Sequence, residues 1–350
     1  MNPCTPHPNK ANQTGLSLIE LMVAITLGLV IMAGLSTLFV ANSSTSAEIE
    51  RANRQIENGR YAMQILSEDL RLAGFLGEFD PTALTTPATK PDPCSVTLSD
   101  LKTALPLHIQ GYNNGASPAL SCLTDVKTGT DILVIRRAST CFAGAADCEA
   151  VSAGTPYFQA SLCKSATQLG SNSISDYYAL DTNSANLTRQ QKDCLTTNLA
   201  GLRRYRTHIY FIANNDLGSD RIPTLKRVEL GASGGVANFS SPPVALVEGI
   251  ENLQIEYGID TASNGAPGLY TADPDSSPAC SGAACVTNWR NVVAVKLNLL
   301  ARNTTASPGY TDTKIYSLGS TTTAASNDGF KRHVYQTAVR LNNPSGRKQP

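Results

Sequence analysis

The chain has 350 residues, equal numbers of basic and acidic side chains, and charged residues at only 16% of its length. That length is ample for one large domain or two small ones. The zero formal net charge excludes a general nucleic-acid or anionic-surface binder, which needs a basic excess. Ser, Thr, Asn, Gly and Ala are abundant, a mix common in secreted β-rich proteins with long loops.

The first element is an apolar run. Leu21 to Ala41 hold no charge, and their polar members are Thr26, Ser36 and Thr37. Twenty-one residues at about 1.5 Å each span about 30 Å, the thickness of a bilayer core. One membrane-spanning helix is expected, and no second run of this length follows. The run is too long for the apolar stretch of a secretory signal peptide, and no small-x-small cleavage site closes it. An ordinary signal anchor does not account for Glu20, a carboxylate among apolar residues. Such a charge costs about 2.5–3.5 kcal/mol at the bilayer centre and less near an interface. In the first helical turn it would also be favoured by the helix dipole.

Gly15-Leu16-Ser17-Leu18-Ile19-Glu20, followed by an unbroken apolar helix, resembles the type IV prepilin cleavage motif. In that family a dedicated prepilin peptidase cuts after the glycine and the new amino terminus is methylated. The resemblance implies cleavage between Gly15 and Leu16, N-methylation at Leu16, where Phe is commonest in the family, and an assembly role for Glu20 at the fifth mature position. Cleavage makes an ammonium at Leu16, which the Glu20 carboxylate of a neighbouring subunit can neutralise. Both charges are expensive in an apolar filament core unless paired, so the pair would set the axial register of each subunit.

The helix is expected to continue as an amphipathic segment. Ile49, Ala52, Ile56, Gly59, Met63, Leu66, Leu70 and Ala73 recur at alternating steps of three and four, one apolar stripe. Glu50/Arg54 and Glu68/Arg71 offer support on other faces. Ala and Gly make too thin a seam for a coiled coil. Gly74 and Gly77 end the helix and Pro81 bars its continuation.

Beyond residue 80, loops rich in Thr, Pro, Ser and Gly separate strand-like runs at 131–138, 204–213, 224–230, 252–259, 291–301 and 333–341. Tyr205, Thr207, Ile209 and Phe211 share one face, as do Val293, Val295, Leu297 and Leu299. The segment 214–223 joins two strands as a hairpin. The expected fold class is α+β, a long N-terminal helix packed on antiparallel sheet with long disulfide-bonded loops.

The segment ENGRYAMQILSEDLRLAGFLG (57–77) and the blocks TDILVIRRA, RRYRTHIYFIAN, PTLKRVEL, LVEGIENLQIEYGID, WRNVVAVKLNLLARN and RHVYQTAVRLNN resemble the PilW-type minor pilin family. The resemblance implies a leader at 1–15, a membrane and filament-core helix at 16–41, its amphipathic continuation at 42–78, and a periplasmic or extracellular β-rich domain at 79–350. It also implies a non-enzymatic subunit that sits in the inner membrane before assembly and in the pilus at the cell surface afterwards. Its partners would be other minor pilins, the major pilin and a tip adhesin-like protein. The function implied is pilus assembly in the initiation or tip complex, supporting twitching motility, adhesion or DNA uptake. J-type pseudopilins of type II secretion share several of these blocks but are usually much shorter. A membrane-anchored periplasmic binding domain is the alternative from another class.

Removing residues 1–15 takes Cys4 and leaves Cys94, Cys122, Cys141, Cys148, Cys163, Cys194, Cys280 and Cys285. An even count fits disulfides in an oxidising compartment. No C-x-x-C occurs and His7, His108, His208 and His333 are scattered, so zinc spacing is absent and no metal or cofactor is expected. The close pairs Cys141/Cys148 and Cys280/Cys285 are the natural partners, and the remaining connectivity is open.

No Walker A loop, G-x-S-x-G elbow, H-E-x-x-H or G-x-G-x-x-G is present, so no catalytic residue is expected. His208 and His333 read as satisfied or surface histidines. Arg203, Arg204 and Arg206 form a basic cluster; Arg204 and Arg206 share a face able to meet DNA phosphates, against the default of a solvated strand face. Asp273 and Asp275 are a weak calcium candidate that matches no EF-hand spacing. Tyr270, Trp289 and Tyr310 read as core rather than adhesive aromatics.

Overall fold

The computed structural model describes residue 15, residues 17–115 and residues 120–349. Leu16 and the leader up to residue 14 lie outside the described residues. The chain divides into two compact units, Met1–Ala52 and Asn53–Pro350.

Helix α1 runs from Leu18 to Leu72. From Leu18 to Ser46 its side chains are exposed, including every large apolar residue from Leu18 to Val40, and its most apolar window has a mean hydropathy of 2.4. The hydroxyls there are satisfied within the helix. Thr26 donates to Met22 O at 3.0 Å, Ser36 to Met32 O at 2.8 Å and Thr37 to Gly34 O at 2.8 Å. That is what a polar side chain needs where no water is available.

The second unit holds the remaining elements. Short α2 (Leu98–Ala104) precedes a first sheet made of β1 (Ile109–Tyr112), β2 (Ile132–Ala138), β3 (Tyr157–Ala160), β4 (Tyr178–Asp181), β5 (Arg203–Ala213), β6 (Thr224–Ser233), β7 (Val236–Phe239) and β8 (Val244–Glu248). Its central order is β1-β2-β5-β3-β4, with β6 along the second half of β5 and β7 and β8 on β6. A second sheet contains β9 (Ile250–Ile259), β10 (Leu269–Thr271), β11 (Val292–Arg302) and, after the small ribbon β12 (Tyr316–Leu318) and β13 (Thr321–Thr323), β14 (Arg332–Arg340), in the order β10-β9-β11-β14. A short helix, α3 (Ala283–Arg290), leads into β11. All strand pairs are antiparallel.

Alternation along the strands sorts side chains into two cores. Leu133, Ile135, Tyr210 and Ile212 join Ala62, Met63, Leu66 and Leu70 of α1 and the inner face of the second sheet. Ile132, Val134, Ile209 and Phe211 turn the other way, under α2 and the loops before it. The first sheet is therefore covered on both faces, which is why residues 132–135 of β2 and 209–213 of β5 are apolar throughout.

The six expected strands form within three residues of their anticipated limits, and 214–223 closes the β5–β6 hairpin, with Ala213 opposite Thr224. The stripe on α1 is corrected. Gln55, Gly59, Ala62, Met63, Leu66, Asp69 and Leu70 face the unit's interior, whereas Ile49 and Ile56 remain 57% and 40% exposed. The sheet begins to cover the helix only at Gln55, whose amide donates to Ala301 O at 2.9 Å and Lys331 O at 2.8 Å.

Candidate assembly site

The start of α1 is closed by its own side chains. The Ser17 backbone N–H donates to Glu20 Oε2 at 2.9 Å, and the Glu20 N–H donates to Ser17 Oγ at 3.3 Å. This reciprocal pair is a capping box, the arrangement favoured by Ser followed three residues later by Glu. It fixes the direction of the Glu20 carboxylate and leaves Oε1 without a partner among the described residues. Val23, Ala24 and Leu27 lie three, four and seven residues on and share its face. Together with Ile19 and Glu20 they line a shallow apolar groove. A carboxylate oxygen at the head of an apolar stripe can accept one further charged donor.

In the second unit, α1 is bound to the sheets by polar contacts as well as by packing. Asp69 is buried and accepts from Arg137 Nε at 2.6 Å, His208 Nδ1 at 2.6 Å and Tyr210 OH at 2.8 Å. Burial alone would raise its pKa, but His208 and Arg137 outweigh it and hold the carboxyl well below the usual range. His208 Nε2 lies 3.5 Å from Glu229 Oε1. Glu229, for which burial is again opposed by His208, Arg206 and Arg204, is held at about 2.

That network decides the fate of the basic cluster. Arg204 and Arg206 do share a face, opposite the fully buried Tyr205. They are neither solvated nor free: their side chains are 21% and 17% exposed, and both pair with Glu149 and Glu229. Arg203 is stacked 4.1 Å from the Phe142 ring and pairs with Glu78 at 3.3 Å. Sequence reasoning found the arginines by their alternation but missed Asp69 and Glu149, which lie far away along the chain.

The structure joins Cys94 to Cys122, Cys141 to Cys148, Cys163 to Cys194 and Cys280 to Cys285. The first and third close loops of 28 and 31 residues. Asp275 accepts from Trp289 Nε1 at 2.7 Å and pairs with Lys90, and Asp273 accepts from the Asp275 N–H at 3.1 Å. Trp289 is core, while Tyr270 and Tyr310 are half-buried. His333 is exposed, edge-on to Tyr335 with ring centres 4.8 Å apart.

Residues 10–36 match the prokaryotic N-terminal methylation motif, and residues 209–343 match the family described as Type IV Pilus-assembly protein W. No curated protein sequence matches the chain. Among solved structures, the Type IV-like pilin TTHA1219 from Thermus thermophilus is similar over 41% of this chain and 70% of its own, at 17% identity and a TM-score of 0.22. The methylation motif thus lies at the head of α1, and the similarity to the pilus-assembly family runs from mid-β5 through β14.

Proposed function

We propose that this subunit acts in the initiation or tip complex of a type IV pilus, and so supports twitching, attachment or DNA uptake. On this reading the prepilin peptidase cuts between Gly15 and Leu16, Leu16 is N-methylated, and the second unit faces the periplasm before assembly. Other minor pilins, the major pilin and a tip adhesin-like protein are its partners. The observation that carries the reading is the capping box at Ser17 and Glu20, set directly after Gly15 and at the head of a wholly exposed apolar helix. The Leu16 ammonium of a neighbour would be received by the free Oε1 of Glu20, a pairing worth most where water is excluded. The size of the second unit, Asn53–Pro350, suits the end of a filament better than its packed shaft.

The test is Glu20→Ala. The variant is expected to insert in the membrane and lose its leader as the parent does, yet to be missing from sheared surface fibres. Its incorporation at the parental level would overturn the register mechanism. Mass spectrometry of parental protein from the fibres should find Leu16 first and methylated; a chain still beginning at Met1 would sink the processing scheme.

A further inference from the structure

Beside the β5–β6 loop, next to the start of β9 and the end of β11, lies a cleft of about 740 Å³ whose walls include Lys127, Asp220, Arg221, Glu251, Arg302 and Phe330. Its volume falls in the range of small-molecule sites, roughly 300–1,000 Å³.

Three cations and two carboxylates line it, but the negative charges are already committed. Glu251 receives both Nε and Nη2 of Arg332. Asp220 accepts the backbone N–H groups of Asp216, Leu217 and Ile222 at 2.9–3.0 Å. The cations are not matched in the same way. The Lys127 ammonium and the Arg221 guanidinium have no partner among the described residues. Arg302 reaches Glu251 only at 3.9 Å, and its buried Nε has no acceptor. Burial lowers the pKa of that guanidinium, so the site holds cationic charge that is only partly compensated.

The backbone also bends to present one of these groups. Arg221 has φ +60°, a left-handed conformation costly for a residue other than glycine. It is held there from both sides: its N–H donates to Asn215 Oδ1 at 2.8 Å, and its carbonyl accepts from Arg302 Nη2 at 2.7 Å. The second bond ties the Arg302 guanidinium to the Arg221 backbone, and both residues line the cleft.

The chemistry of the cleft limits what fits. It is far larger than a bare oxyanion needs. Ser219, Thr304 and Asp220 offer hydroxyl and carboxylate groups, and the Phe330 ring, with Arg302 stacked 4.1 Å from its centre, supplies an apolar surface. We propose that this cleft binds an anionic carbohydrate, with Lys127, Arg221 and Arg302 gripping the oxyanion and the hydroxyl-bearing ring lying against Ser219, Thr304 and Phe330. The oxyanion is the carboxylate of a uronic acid or the phosphate of a phosphorylated sugar.

Isothermal titration calorimetry on the full chain in detergent tests this, with digalacturonate and glucose 6-phosphate as probes and cellobiose and inorganic phosphate as controls. At least one anionic sugar should bind, more weakly as salt rises, and more tightly than either control; which of the two binds identifies the oxyanion. The Lys127→Gln/Arg221→Gln double variant alters side chains that hold nothing else in place, so it should melt as the parent does. Its affinity for the sugar should drop by at least about tenfold, because charge-assisted hydrogen bonds are lost. Binding of neither probe, equal binding of cellobiose or of inorganic phosphate, or undiminished binding by a folded double variant would each overturn the proposal.

Discussion

Asp69 is the residue on which the seating of α1 most depends. It is a buried anion with three donors from two strands of the first sheet, and its removal leaves Arg137 and His208 without their acceptor. Breaking such a buried network from one side costs about 3–5 kcal/mol. Asp69→Ala is therefore expected to lower the unfolding free energy measured by urea titration at neutral pH by that much, whereas truncating an exposed partner such as Glu149 should cost far less. Acid titrates the molecule in two opposing senses. Asp69 and Glu229 have depressed pKa values, so their stabilisation is complete above about pH 4, the unfolded value, and is lost as the pH falls below it. Asp131 behaves in the opposite way. Burial raises its pKa to about 6, although it accepts the N–H groups of Asn114 and Ile255, both at 2.8 Å. The folded chain thus holds the Asp131 proton between about pH 4 and 6 where the unfolded chain has released it, and stability falls as the pH rises through that window. In urea titrations, the stability of the parent relative to Asp131→Asn should drop by about 2–3 kcal/mol from pH 4 to pH 7. A constant difference would show that Asp131 titrates normally.

Among the elements, α1 and the long strands could be read from the sequence because their apolar residues repeat at helical or alternating spacing. The short strands β3 and β4 could not. Each has four residues, too few to show a period, and β3 is placed by pairing with Arg203 and Arg204 more than forty residues later. The polar side of α1 was hidden for a related reason: Gln55 and Asp69 look like surface residues until their acceptors and donors arrive from distant strands. Gly59, by contrast, carries its reason in the packing. A Cβ there would stand 2.2 Å from Cε2 of Tyr335 on β14, so the ring sits directly on the helix backbone. Gly59→Ala is expected to destabilise by about 1–3 kcal/mol through overpacking, despite the better helix propensity of alanine. Adding Tyr335→Leu should recover part of the loss, and additive effects in the double variant would argue against this contact. Replacing Cys163 and Cys194 by Ser should cost about 3–4 kcal/mol in the loop-entropy account for a closure of that size, measured by thermal melting under non-reducing conditions.

Among the described residues, the apolar stretch of α1 in the first unit is exposed, while the second unit encloses two cores. A chain beginning at residue 42 should therefore remain monomeric in detergent-free buffer and melt as the full chain does. Gel filtration and circular dichroism would check this, and aggregation or loss of the transition would mean that the apolar segment supports the fold. What the sequence made plain at this scale was the division between greasy helix and water-facing domain. The pairing of charges across strands, and the cleft beside the β5–β6 loop, depend on the folded topology and leave no local trace.

The clamp at Gln55 has a mechanical meaning. Its amide spans two carbonyls from neighbouring strands, β11 and the approach to β14, and Asn58 donates to Glu248 O at 3.1 Å one turn further on. A pull along α1 reaches these amides before it reaches the buried leucines. A load carried by this turn of the helix is therefore shared among three hydrogen bonds, anchored on β8, on β11 and on the approach to β14.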